Sequence, residues 1–137
     1  MKHKSHYENL QEHIRTLQLP AIEVWTNQYA DREYTVDLEI PEFTCICPKT
    51  GLPDFAVIYI SYSPAKSCLE LKSLKEYIHS YRTLGIFHEH LTNKILDDVV
   101  NACRPRWAQV KTVMNPRGGI TTTVAAQYPI QITRENK

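Results

Sequence analysis

Between Tyr34 and Ile40 the chain alternates, with Val36, Leu38 and Ile40 apolar and Thr35, Asp37 and Glu39 polar. That period of two predicts a half-buried strand. Pro41 interrupts it, and Phe43 to Ile46 resumes the extended run. Phe55 to Tyr62 is dense in β-branched and aromatic residues and predicts a second strand, closed by Ser63 and Pro64. Cys68 to Lys72 predicts a short extended piece, after which the period changes. Leu74, Tyr77, Ile78 and Tyr81 share one helical face, and Ser73 with Glu76 has the spacing of a capping box. Beyond Gly85, Leu91, Ile95 and Val99 mark the apolar stripe of a second helix over His88 to Cys103, which Pro105 bars from continuing. Arg106 to Met114 and Ile120 to Tyr128 predict a hairpin joined by Asn115 to Gly119. Upstream, Leu10, Ile14 and Leu17 predict a short helix over His6 to Leu19, ended by Pro20.

Two hairpins with a helix pair between them give an α+β fold, an antiparallel sheet covered on one face by both helices. Residues 1–26 read as an N-terminal arm, 27–130 as the folded domain and 131–137 as a C-terminal tail. The strands carry apolar or aromatic residues at both parities, as in Phe55, Val57 and Tyr59 against Ile58, Ile60 and Tyr62. A lone subunit of this kind exposes an apolar sheet face and open edges, so the expected working unit is a homo-oligomer.

Composition sharpens this picture by exclusion. A chain of 137 residues, 42% apolar and 23% charged, suits one soluble domain with one modest core. A net charge of +1 argues against a nucleic-acid groove or a membrane surface as partner. No apolar run reaches bilayer length, and the N-terminus lacks a hydrophobic signal core, so a cytoplasmic protein with reduced Cys45, Cys47, Cys68 and Cys103 is expected. With no Cys-x-x-Cys pair, no metal site is expected, and His3, His6 and His13 read as solvated side chains.

Chemistry concentrates in three places. The stretch Cys45 to Phe55 reads as the loop end of a hairpin, stiffened by Pro48, Gly51 and Pro53. It sets Cys47 and Asp54 across a turn, a thiol to attack an electrophilic carbon and a carboxyl to move the proton. Asp54 as a simple turn residue is the competing reading, and Cys45 reads as packing. Lys72 and Lys75, with Arg82 beyond, flank a helix start where backbone N–H groups favour phosphate, although they also suit a solvated helix face. Glu89 opens the second helix, either to offset its dipole or to receive paired N–H donors of a heterocycle, with His88 beside it as a hydrogen-bonding partner or a surface residue.

Taken together, Phe43-Thr-Cys-Ile-Cys-Pro-Lys-Thr-Gly-Leu-Pro-Asp-Phe55, Glu70-Leu-Lys-Ser-Leu-Lys75, Phe87-His-Glu89 and the Pro116-Arg-Gly-Gly119 turn resemble, in order and spacing, the short form of the QueF nitrile reductases. The resemblance covers roughly Asn27 to Tyr128. It implies the tunnelling fold, assembled into barrel-like rings with sites at subunit interfaces. It also implies NADPH-dependent reduction of the small-molecule nitrile 7-cyano-7-deazaguanine to 7-aminomethyl-7-deazaguanine, in queuosine biosynthesis, with no direct nucleic-acid contact. Residue by residue, it makes Cys47 the nucleophile, forming a thioimide, and Asp54 the proton donor. Leu69, Glu70, Leu71, His88 and Glu89 would contact substrate, and Lys72, Lys75 and Arg117 the cofactor phosphates. The sequence departs from the family pattern at Thr83-Leu84 and at His90-Leu91. Two other readings keep the fold: an archaeal-type amidinotransferase acting on a nitrile base in tRNA, and a non-catalytic purine- or pterin-binding module.

Overall fold

A computed structural model describes residues 11–130. Six strands and two helices follow in order: β1 (Val24–Thr26), β2 (Val36–Ile46), β3 (Pro53–Ser63), β4 (Ser67–Leu69), α1 (Leu71–His79), α2 (His88–Cys103), β5 (Trp107–Met114) and β6 (Thr123–Tyr128). A short 3-10 turn, Ser80–Thr83, extends α1. The main sheet is antiparallel in the order β2-β3-β5-β6, and β1 pairs with β4 in a separate two-stranded ribbon.

The expected alternation decides which face of the main sheet is covered. Ala56, Ile58, Ile60 and Tyr62 of β3 and Ala108 and Val110 of β5 are buried, against Leu91, Ile95 and Val99 of α2 and Leu74, Tyr77 and Ile78 of α1. Thr92 of α2 and Thr112 of β5, both buried, satisfy each other through a 2.7 Å hydroxyl pair. The opposite face is more polar than the sequence suggests. Phe55 is exposed and Val57 and Tyr59 half-buried, but the Lys111 ammonium lies 5.3 Å from the Tyr59 ring centre, a cation–π contact.

Pro41 does not end the strand. Instead β2 runs through it with a register shift between Ile40 and Phe43, and the bulge keeps Phe43 and Cys45 on the covered face. Two other expectations are corrected. The extended piece over Cys68 to Lys72 stops at Leu69, because α1 already begins at Leu71. The N-cap is Glu70 rather than Ser73: its carboxylate accepts from Lys72 N–H at 3.0 Å and Ser73 N–H at 2.8 Å. Ser73 instead donates its hydroxyl to the Glu70 carbonyl and accepts from Glu23 N–H. A carboxylate with two oxygens satisfies both orphan donors of the first turn at once, and Ser73 is left to tie the arm to the helix. Of the helix predicted over His6 to Leu19, the described part holds no α-helix but a 3-10 turn, Ile14–Thr16, with Gln11 in 3-10 conformation before it, and residues 6–10 lie outside the described residues.

Candidate active site

The hairpin between β2 and β3 turns within Cys47 to Leu52, closed by Cys47 N–H donating to the Leu52 carbonyl and Gly51 N–H to the Cys47 carbonyl, both at 2.9 Å. Gly51 sits at φ 73°, a left-handed position that closes the turn without a Cβ penalty. The fold-back surrounds the half-buried Cys47 sulfur with donors. Burial pushes its thiol up, but the Thr50 hydroxyl and the N–H groups of Thr50 and Lys49 outweigh that and leave it below the ordinary thiol range. Cys45, fully buried, goes the other way: burial first, then the charge of Asp54, pushes it up to about 12. Of two thiols on one strand run, only Cys47 is both accessible and readily ionised.

Asp54 faces Cys45 across the hairpin and is buried at 4% exposure. Its two oxygens are divided. Oδ1 accepts from Arg117 Nη1 at 2.5 Å, and Oδ2 meets His88 Nε2 at 3.3 Å. A buried carboxylate without partners would be costly, so this bracketing is what allows Asp54 to lie in the interior. His88 is the first residue of α2, and the preceding segment is clipped to the end of β2, with Ile46 N–H donating to Leu84 O at 2.9 Å and Ile86 N–H to Ile46 O at 3.0 Å. The clip brings the start of α2 beside the Cys47 loop. Glu89 is exposed on that first turn, and its carboxylate takes no hydrogen bond among the described residues.

Comparison with known proteins settles the family. A family described as QueF-like protein matches residues 53–132, which include Asp54, His88, Glu89 and Arg117. The NADPH-dependent 7-cyano-7-deazaguanine reductase of Chlorobaculum tepidum is 59% identical over 107 residues, 78% of this chain and 92% of that protein. The chain belongs to the QueF family. A reductase of the same name from Elusimicrobium minutum is 56% identical over 110 residues, 80% of this chain and 83% of that one. Among solved structures, the apo form of the archaeosine synthase QueF-Like superposes with a TM-score of 0.64 at 26% identity, covering 68% of this chain and 91% of that one. No helix among the described residues is long and apolar enough to cross a membrane.

Within this QueF chain, the residues expected to act together fall into two groups. Cys47, Asp54, His88 and Arg117 surround one end of the β2–β3 hairpin. Leu69 to Lys75 lie elsewhere. Leu69 is core, its N–H donating to the Tyr62 hydroxyl and its carbonyl accepting from Trp25 Nε1. Glu70 caps α1, with a carboxyl held below its usual range, first by the Ser73 N–H. The carboxylate thus already takes the N–H groups of the helix start that were expected to favour phosphate. Leu71 is 57% exposed, and Lys72 and Lys75 are exposed with it. Lys75 rims an apolar groove of about 350 Å³ between α1 and β2, lined by Leu38, Ile40, Leu71, Leu74 and Ile78. The groove's lining on β2 reaches Glu42, and at ~3.3 Å per residue Cys47, just past the strand's end, lies roughly 16 Å further on. Arg117, expected on a cofactor phosphate, here pairs with Asp54. Sequence reasoning missed Thr50, which the fold-back of the loop sets where its hydroxyl and N–H lower the Cys47 thiol. A hydroxyl residue three positions after a cysteine in a Pro- and Gly-bounded turn is the signal that was there to read.

Proposed function

We propose that this chain is an NADPH-dependent 7-cyano-7-deazaguanine reductase, converting a nitrile to the aminomethyl base on the way to queuosine. The observation that carries the reading is a half-buried Cys47 thiol at the same hairpin end as a buried Asp54 whose oxygens are divided between Arg117 and His88. The Cys47 thiolate adds to the nitrile carbon, forming a C–S bond as the π pair of the nitrile moves to nitrogen. That nitrogen takes a proton from Asp54. Because Oδ1 is held by Arg117, Oδ2 is the oxygen that carries the proton, and His88 reloads it. The adduct is a thioimide, a better hydride acceptor than the nitrile. Once that carbon is reduced the C–S bond breaks, and the electron pair returns to the Cys47 sulfur as thiolate. The imine left behind would take the second hydride together with a second proton from Asp54, reloaded by His88. Glu89, unengaged beside His88, receives the ring N–H donors of the base, and keeping water from the site protects an imine stage from hydrolysis.

NADPH, when bound, supplies the hydrides, two per nitrile taken to the amine. The chain's residues suit it in part. Lys72 and Lys75 offer exposed cations for its phosphates, beside an apolar groove large enough for one ring system. The distance between this groove and Cys47 favours a site completed by a second copy, whose Leu69–Leu71 segment would meet the substrate. A mechanism that needs a free thiolate fits a reducing cytoplasm.

Loss of NADPH absorbance on mixing protein, nitrile base and cofactor tests the reading. The expected result is two cofactors oxidised per base. No loss of absorbance would defeat it, and amidine formation on tRNA without cofactor would favour the amidinotransferase reading.

A further inference from the structure

The N-terminal side chain of Gln11 is buried at 5% exposure and reaches across to the segment that carries His88 and Glu89. Its Nε2 donates to the Gly85 carbonyl at 3.2 Å, and its Oε1 accepts from Phe87 N–H at 3.1 Å. Its Oε1 also lies 3.0 Å from His90 Nδ1. The chemistry of these partners fixes the amide's orientation, since a backbone N–H can only donate and a carbonyl can only accept. The same oxygen then faces His90 Nδ1, so that nitrogen carries a proton and donates it to Gln11.

Phe87 is the N-cap of α2 and has no side-chain cap of its own. Helix starts leave backbone donors unsatisfied, and here the donor is answered from 76 positions away. On its other side the same short segment is clipped to Ile46, next to the Cys47 loop. Gln11 therefore closes a joint whose two sides are the nucleophile's strand and the base-binding turn. His90 is one of the positions where this sequence departs from the QueF pattern, and its contact with Gln11 gives the departure a use.

We infer that Gln11 is a positioning residue for substrate recognition: it fixes the first turn of α2, and through it Glu89 and His88, relative to Cys47. The inference rests on the reductase reading for the identity of the ligand. The Cys47 loop is closed by its own hydrogen bonds and Asp54 Oδ1 keeps Arg117, so loss of Gln11 acts first on base binding and reaches the chemistry only through His88.

The test compares Gln11→Met, which keeps length and loses every hydrogen bond, with Gln11→Glu, which keeps the acceptor for Phe87 and His90. Calorimetry with 7-cyano-7-deazaguanine, on a Cys47→Ala background to stop adduct formation, should show Gln11→Met weakening affinity by about tenfold, a loss of the size expected for stranded polar partners. Gln11→Glu should recover part of that loss, since it keeps the acceptor for Phe87 and His90 but sets an oxygen against the Gly85 carbonyl. With Cys47 intact, KM should rise while kcat changes little, and the Phe87 amide should exchange faster in Gln11→Met than in the parent. Equal affinities for the parent and Gln11→Met, equal losses in both variants, or an unchanged Phe87 exchange rate would overturn the inference. A parent that binds no nitrile base would overturn the reductase reading and this role with it, so the two failures are told apart by the parent's isotherm.

Discussion

Cys45 and Cys47 share a strand run and differ in what surrounds the sulfur, which gives a direct chemical prediction. The thiolate is the nucleophile, and a lowered pKa brings its rise with pH to a lower pH than for a free thiol. Iodoacetamide should therefore modify Cys47 first and leave Cys45 untouched in the folded protein. Thr50→Val removes a donor that lowers the Cys47 thiol, so the pH profile of alkylation should move to higher pH. Mass spectrometry after brief labelling reads both, and an unshifted profile would remove Thr50 from the site. The nitrile adduct should likewise be lost in Cys47→Ala and kept in Cys45→Ala. Asp54→Asn keeps the shape and loses the proton, so turnover should fall by about 10²–10⁴-fold in the absorbance assay. Near-normal turnover would reduce Asp54 to a turn residue. The placement of the two thiols was legible in the sequence, because Pro48 marks Cys47 as the one at the loop and leaves Cys45 to the packed strand. The Arg117–Asp54 pair was not, because 63 positions separate its members and only the β3–β5 pairing brings them together.

The helices were legible in their faces and less so in their starts. Apolar spacing located α2 at His88–Cys103, since burying a stripe is what makes a helix of that length stable. The start of α1 was misread because Ser73 and Glu70 both have capping chemistry, and the competition is settled by geometry. β1 has only three residues and exists through its pairing with β4, so no local pattern announces it. What joins the helices was also hidden. Tyr77 donates to Asp98 at 2.6 Å, and Tyr81 completes the chain by donating to the Tyr77 oxygen at 2.7 Å. Desolvation, ahead of Tyr81 and Asp98, pushes Tyr77 well above the usual phenol range, so it keeps its proton throughout. Tyr77→Phe strands the Asp98 oxygen and the Tyr81 hydroxyl, at about 1–3 kcal/mol. Thermal unfolding should show a clear loss, and an unchanged midpoint would mean that water replaces the hydroxyl.

At the scale of the molecule, the main sheet among the described residues ends in two edge strands, β2, bridged only at Ile46, and β6, and the groove between β2 and α1 has Leu71 exposed at its rim. Such edges and patches favour association. Sedimentation at assay concentration should show an oligomer, and activity should fall on dilution below its dissociation range. A fully active monomer would defeat the shared-site proposal. One contact of the arm bears on where this protein can be cut. Lys94, 6% exposed in α2, is held by Asp98 at 3.3 Å and by the Leu17 carbonyl at 2.8 Å. A version begun at Asn27 would remove that carbonyl together with Ile14, Gln11 and β1, leaving an ammonium beneath a stripped surface with a single carboxylate for company. For expression, tagging or fusion at the front of the chain, the boundary that preserves a folded protein lies ahead of Gln11, and melting of the two versions side by side would show the shorter one less stable.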